Sequence, residues 1–384
     1  MIRLTRPSIE ADDLDAVRAV LLSGQLVQGP SVQAFERAIA QASGVAHAVV
    51  VTNCTAALQM ALLALDVRAG DLVVVAAYSW PTTANVIELC GAQPVFVDID
   101  PATGNMSPTA LQATLTSLSK TPGTAARVKA ILPVHTFGQL CDMSALMEIA
   151  TRFGVPLIED AACALGAKHG AGSAGSWGSM GCFSFHPRKA VTTGEGGAIV
   201  TNDPALARWL RASRNHGQDA EFVGTDPFVM PGFNNRMTEF QGALGVTQMQ
   251  KLDRVVAARR ALAERYNATL SSELQRTAPA NVGERHVYQS YVVLLPAEIA
   301  PQRAALIRTL RESGVEAQIG TWHMPLITYY RTRYGFKVGD YPQCDSFAAR
   351  ALTLPLYEGM TNDEQDQVVS AVHGAVGVAT PVAR

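Results

Sequence analysis

The 384-residue chain is 48% apolar and 17% charged, with 31 Lys and Arg against 33 Asp and Glu. That balance describes a soluble globular protein with room for two domains. The absence of like-charge runs excludes the footprint of a general nucleic-acid or membrane-surface binder. Six cysteines (Cys54, Cys90, Cys141, Cys163, Cys182 and Cys344) form no C-x-x-C pair, so they read as reduced thiols and not as a zinc site or disulfide frame. The expected address is the cytoplasm.

In chain order, a polar helical pattern follows Met1, with no apolar signal core ahead of it. β-branched runs at 47–51, 72–76, 94–97, 128–134, 156–159, 182–185 and 198–201 predict seven strands. Amphipathic segments at 55–65, 83–89, 108–118 and 143–153 predict helices between them. The apolar stretch 47–65 is broken by Thr52, Asn53, Thr55 and Gln59, so it is no membrane span. The alternation predicts an α/β fold with a mostly parallel seven-stranded sheet, whose ligands sit beyond the strands' carboxyl ends. A long helical stretch then runs from 238 to about 274. A strand-like run at 288–295, a helix at 302–313, a short strand at 315–319 and a final helix at 362–372 follow. This predicts a large α/β domain at 1–250 and a smaller α+β domain at 251–384.

Four strand ends carry chemistry. Gly181-Cys-Phe-Ser-Phe-His-Pro-Arg-Lys189, followed by Thr192-Thr-Gly-Glu-Gly-Gly197, presents one lysine beyond a buried strand. Desolvation there is expected to lower the ammonium pKa and free an amine able to form an imine with a carbonyl; a solvated surface lysine is the alternative. Asp160 closes Val155-Pro-Leu-Ile-Glu-Asp160 among apolar neighbours, where a carboxylate needs a cation or strong donors. A protonated pyridine nitrogen is one such partner, and a helix N-cap is the other reading. In Val51-Thr-Asn-Cys-Thr-Ala-Ala57 a strand gives way to a helix whose first amides suit a phosphate, unless Thr55 is only a cap. Trp80 is placed to stack on a heteroaromatic ring or to fill a domain junction.

In this order the pieces resemble the DegT/DnrJ/EryC1/StrS sugar aminotransferases, within the fold-type I pyridoxal-phosphate enzymes. The resemblance also includes Gly29-Pro-Ser-Val-Gln-Ala-Phe-Glu36, Gly91-Ala-Gln-Pro-Val-Phe-Val-Asp98, Pro133-Val-His-Thr-Phe-Gly-Gln139, Glu159-Asp-Ala-Ala162, Gly232-Phe-Asn-Asn-Arg-Met-Thr-Glu239 and Leu354-Pro-Leu356. It implies that Lys189 carries pyridoxal phosphate as a Schiff base and shuttles the proton, with pyridoxamine phosphate as the aminated form. It further implies that Asp160 holds the ring nitrogen and Trp80 stacks on the ring. The phosphate would fall to Thr55, the Ala56 amide and Ser184, with Asn234 reaching it from the second subunit of a homodimer. Cys163 stands where the family often has Gln or His, and Cys54 where it commonly has Gly.

The implied reaction moves an amino group from an amino acid, by resemblance L-glutamate, to a keto-sugar usually carried on a nucleoside diphosphate. His186, Arg188, Arg236 and His323 are candidates for that substrate; each has a packing or solvated alternative. Rival readings are an inosose (cyclitol) aminotransferase and a non-catalytic sensor that keeps the cofactor as a ligand. A dehydratase is disfavoured because Lys189 is intact and the cysteines lack cluster spacing. A cysteine desulfurase ranks last, since only Cys344 is placed to serve one.

Overall fold

The computed structural model describes residues 1–170, 172–277 and 284–377. Seven strands lie in the order His47–Val51, Gly197–Thr201, Met180–Ser184, Ile158–Asp160, Val128–Leu132, Leu72–Ala76 and Gln93–Val97. Single bridges from Ile131 to Leu157 and from Val134 to Asp160 join the four-stranded half to the three-stranded half. Gly197–Thr201 runs antiparallel to both neighbours, and the other pairings are parallel.

The strands read as unbroken apolar runs because both sheet faces are covered. Ala48, Val50, Leu72, Val74 and Ala76 pack on one side with the helices Pro30–Ser43, Pro108–Lys120 and Met143–Phe153. Val49, Val51, Val73 and Val75 pack on the other with Cys54–Ala64, Thr82–Leu89 and Pro204–Arg214. Strand alternation thus sends neighbouring valines into two separate cores. Among the described residues no helix is long and apolar enough to cross a membrane.

A second, antiparallel sheet has the order Gln275–Arg276, Tyr291–Leu294, Ala351–Leu354, Gln318–Ile319. Its core takes Leu306 and Leu310 from one helix and Val368, Val369 and Val372 from the last, with Ala263 and Tyr266 from the long helix Glu239–Thr269. That helix starts at a capping box of Thr238 and Gln241. Its Glu239 carboxylate accepts from the amides of Gly29, Ser31 and Val32 at the start of Pro30–Ser43. A negative side chain there satisfies amides that the helix ladder leaves over. The division expected at 250/251 falls inside this helix, and Ile2 packs in the second core and bridges Val315.

Several boundaries differ from the sequence pattern. The strand expected at 128–134 stops at Leu132, since Pro133 has no N–H to donate. The one expected at 156–159 begins at Ile158 and includes Asp160. The long helix ends at Thr269, not near 274. Pro204–Arg214, capped by the Asp203 side chain and amphipathic along its length, and the strand Ala351–Leu354 were not anticipated.

Candidate active site

Neighbouring carboxylates at the end of Ile158–Asp160 point to opposite faces, as strand geometry requires. Glu159 is fully buried and accepts from His135 Nε2 (2.9 Å) and from the amides of Gly175 (2.8 Å), Trp177 (2.8 Å) and Gly178 (2.9 Å), so it pins a loop. Asp160 faces the site. Its Oδ2 accepts from Thr83 Oγ1 at 2.6 Å and its Oδ1 from the Ala162 amide at 3.2 Å. Turns follow it, not a helix, so the N-cap alternative falls away. Burial pushes its carboxyl above the ordinary range, opposed by Thr83, Ala162 and the more distant charges of Lys189 and His135. A carboxylate with two neutral donors and no bonded cation suits a cationic N–H.

Lys189 is held by a turn braced from behind. Its amide donates to the His186 carbonyl (2.8 Å), and the Arg188 amide donates to His186 Nδ1 (3.2 Å). Gln289 donates to the Arg188 carbonyl, and Arg259, from the long helix, donates to Gln289 Oε1 (3.1 Å) and to the Lys189 carbonyl (3.4 Å). The side chain reaches back to Cys163, with Nζ 3.0 Å from Sγ. Burial pulls the Lys189 pKa down, but Cys163, Cys54 and Asp160 together outweigh it and the net direction is up. This corrects the expectation from desolvation alone: the polar neighbours of the lysine favour the ammonium. Burial, with Asp160 nearby, pushes the Cys54 thiol well up. Cys163 is the cysteine in direct contact with the lysine.

The phosphate-type cradle forms where three segments meet at Gly197. That residue pairs with Val51 on one side and Ser184 on the other, and a Cβ on it would come within 2.5 Å of the Asn53 backbone. Only glycine permits that approach. Ser184 and the start of Cys54–Ala64 are thereby brought together. The helix cap is Asn53, not Thr55: Asn53 Oδ1 accepts from the Ala56 amide at 2.9 Å. The Ala56 amide, expected to meet a phosphate, is thus already paired. The amides of Cys54 and Thr55 precede the helix ladder, and Thr55 is exposed.

Trp80 fills no domain junction: it is 62% exposed, on the turn where the Thr83 amide donates to the Trp80 carbonyl (3.2 Å). One turn therefore supplies a flat aromatic at the mouth and a hydroxyl to Asp160. Sequence reasoning missed Thr83, because Pro81-Thr-Thr83 reads as an ordinary helix start. It also missed Ser79, whose Oγ is 2.7 Å from Thr83 Oγ1.

The substrate candidates divide. Arg236 bonds Asn215 Oδ1 at 2.8 Å and bridges Val51, which is the pinning role. His186 shapes the lysine turn, and burial lowers its pKa. Arg188 is exposed. His323 Nε2 lies 2.8 Å from Asp345 Oδ1, on a short strand, Trp322–His323, paired with Tyr78–Ser79 just ahead of Trp80. Asn234 is exposed on a segment bridged to Asn215.

The family model of the DegT/DnrJ/EryC1/StrS aminotransferase family matches residues 7–373. GDP-perosamine synthase of Caulobacter vibrioides is 34% identical over 374 residues, 97% of each chain. Spore coat polysaccharide biosynthesis protein SpsC of Bacillus subtilis is 35% identical over 381 residues, 96% of each. Among solved structures, DesV of S. venezuelae in complex with a ketimine intermediate superposes with a TM-score of 0.85 at 31% identity, covering 96% of this chain and 95% of that one. The chain belongs to the DegT/DnrJ/EryC1/StrS family of pyridoxal-phosphate-dependent aminotransferases.

Proposed function

We propose that this enzyme transfers an amino group from L-glutamate to a keto-sugar carried on a nucleoside diphosphate, in amino-sugar biosynthesis. The observation that carries the reading is the meeting, at the ends of adjacent strands, of the Lys189 amine, a buried Asp160 without a bonded cation, and the cradle around Gly197. A relative named as a GDP-perosamine synthase supports the nucleotide-linked substrate.

Pyridoxal phosphate, when bound, supplies an aldehyde that condenses with amines and a ring that accepts the electron pair left by a departing proton. Asp160 holds the ring nitrogen and Trp80 covers the ring. Thr55, the leading amides of Cys54–Ala64 and Ser184 bind the phosphate. Lys189 Nζ would take a proton from the amino-acid α-carbon and deliver it to the former aldehyde carbon across the nitrogen, a task for one base within reach of both carbons. Cys163 holds that amine between transfers. Asn234 completes the phosphate site from a second subunit, so the working unit is a homodimer with two shared sites.

The test is the visible spectrum of the protein supplied with pyridoxal phosphate, before and after L-glutamate, beside Lys189→Ala. Glutamate is expected to bleach the yellow band of the wild type, and a nucleotide-linked keto-sugar to restore it. Lys189→Ala should lower turnover by about 10³-fold or more. Restoration by an inosose alone moves the substrate to a cyclitol; binding without bleaching by any amino donor makes the protein a sensor.

A further inference from the structure

We propose that Thr83, backed by Ser79, is a positioning residue for the cofactor's ring: its hydroxyl fixes Asp160 so that one carboxylate oxygen remains aimed at a ring N–H. This rests on the pyridoxal-phosphate reading above and names residues that act through Asp160.

The argument begins with a count of protons. Asp160, Thr83 and Ser79 are 4%, 1% and 2% exposed, so water does not complete their hydrogen bonds freely. An ionised carboxylate only accepts, and a threonine hydroxyl has one proton. Thr83 Oγ1 therefore spends its proton on Asp160 Oδ2 at 2.6 Å. The 2.7 Å contact between Thr83 and Ser79 is then settled: Ser79 donates and Thr83 accepts. The chain points one way, from Ser79 through Thr83 to Asp160, and each bond polarises the next. The ionised Asp160 that a ring N–H requires can only accept, which fixes this direction, whereas a proton on Oδ2 would turn the first bond round. The Ala162 amide takes Oδ1 at 3.2 Å, a longer bond that leaves this oxygen with capacity to accept another donor.

The far end of the relay is anchored by a distant part of the chain. Ser79 pairs with Trp322, the Thr321 amide donates to Tyr78 Oη (2.9 Å), and the Met324 amide donates to the Ala77 carbonyl (2.8 Å). The 321–324 segment therefore fixes the strand that places Ser79. Other titratable groups act on Asp160 from every side: Lys189 from its turn, His135 beyond Val128–Leu132, Cys54 from its helix and Cys182 on the adjoining strand. For that reason the experiment compares ligands at one pH.

The probes are pyridoxal phosphate and its 1-deaza analogue, in which C–H replaces the ring nitrogen, titrated into wild type, Thr83→Val, Thr83→Ser and Ser79→Ala. Wild type should prefer pyridoxal phosphate. Thr83→Val should weaken pyridoxal phosphate by about 10-fold, the scale of one hydrogen bond to a charged group, and leave the deaza analogue nearly unchanged. Thr83→Ser should restore the preference, and Ser79→Ala should lower it by about 3-fold. Because the deaza analogue tests the same variant, it also reports whether the fold survives. Equal weakening of both ligands, or of neither, overturns the proposal. Borohydride reduction followed by peptide mass analysis separates the two layers: wild type without an adduct on Lys189 overturns the cofactor reading itself, and this proposal with it.

Discussion

Asp160, Thr83 and Ser79 at the floor of the site are each no more than 4% exposed and spend their polar atoms on one another, whereas Trp80 at the mouth is 62% exposed. The hydrogen bonds of the floor come from two sheet-end segments of one chain. The mouth is more open. Asn234 is exposed, and on the same segment, ahead of the long helix, Phe222, Phe228, Val229 and Phe233 show apolar surface. Exposed aromatics gathered in one segment mark a surface built to be covered, which supports the second subunit proposed there.

The strongest way to break the contrast is at the floor. Asp160→Asn keeps the shape and removes the charge, and should slow the glutamate half-reaction by about 10²-fold in single-turnover absorbance measurements, with unfolding little changed. A rate near wild type would mean that this carboxylate serves folding alone.

At the mouth the effect should be smaller and should cross between chains. Asn234→Ala is expected to weaken pyridoxal phosphate by about 10-fold. Mixed with Lys189→Ala and allowed to exchange subunits, it should regain about a quarter of wild-type activity, because half the dimers then hold one intact site. No recovery on mixing would place Asn234 in its own chain's site.

The smallest effect sharpens the boundary between site and scaffold. His286 is buried, stacked on Tyr288 at 3.9 Å, and three residues ahead of the Gln289 that braces Lys189's turn. Burial first, then Arg260, lowers its pKa from 6.5 to about 3. A histidine depressed in the folded state contributes stability above its unfolded pKa. That contribution is lost as pH falls from about 6.5 toward 3. Urea unfolding at stepped pH should show a slope of no more than about 1.4 kcal/mol per pH unit from this group, flattened in His286→Gln. An unchanged slope in that variant would assign the acid sensitivity elsewhere.

The seven strands and the lysine were legible because a buried parallel sheet demands unbroken apolar runs, and because few residue types form imines. Asp160 was legible as an expensive charge at a strand end. The Asn53 bond to the Ala56 amide was not legible, because a cap differs from a ligand site only in which side chain turns inward. The direction of the Lys189 pKa was misread for a related cause. Desolvation can be guessed from apolar neighbours, but the groups that oppose it come from two distant segments, Asp160 and Cys163 at and just after the end of one strand and Cys54 at the start of a helix.

By itself, then, the sequence determined the α/β architecture, the amine and the carboxylate, since hydrophobic period and residue chemistry are local properties. The tertiary structure alone decided that Thr83 and Ser79 lie behind Asp160, that Glu239 reaches an amide 210 residues earlier at a helix start, and that Cys163 meets Lys189. Each of these is a contact between segments whose spacing in the chain carries no information about their distance in space. Hydrogen bonds need partners within about 3 Å, and only the folded core sets that distance.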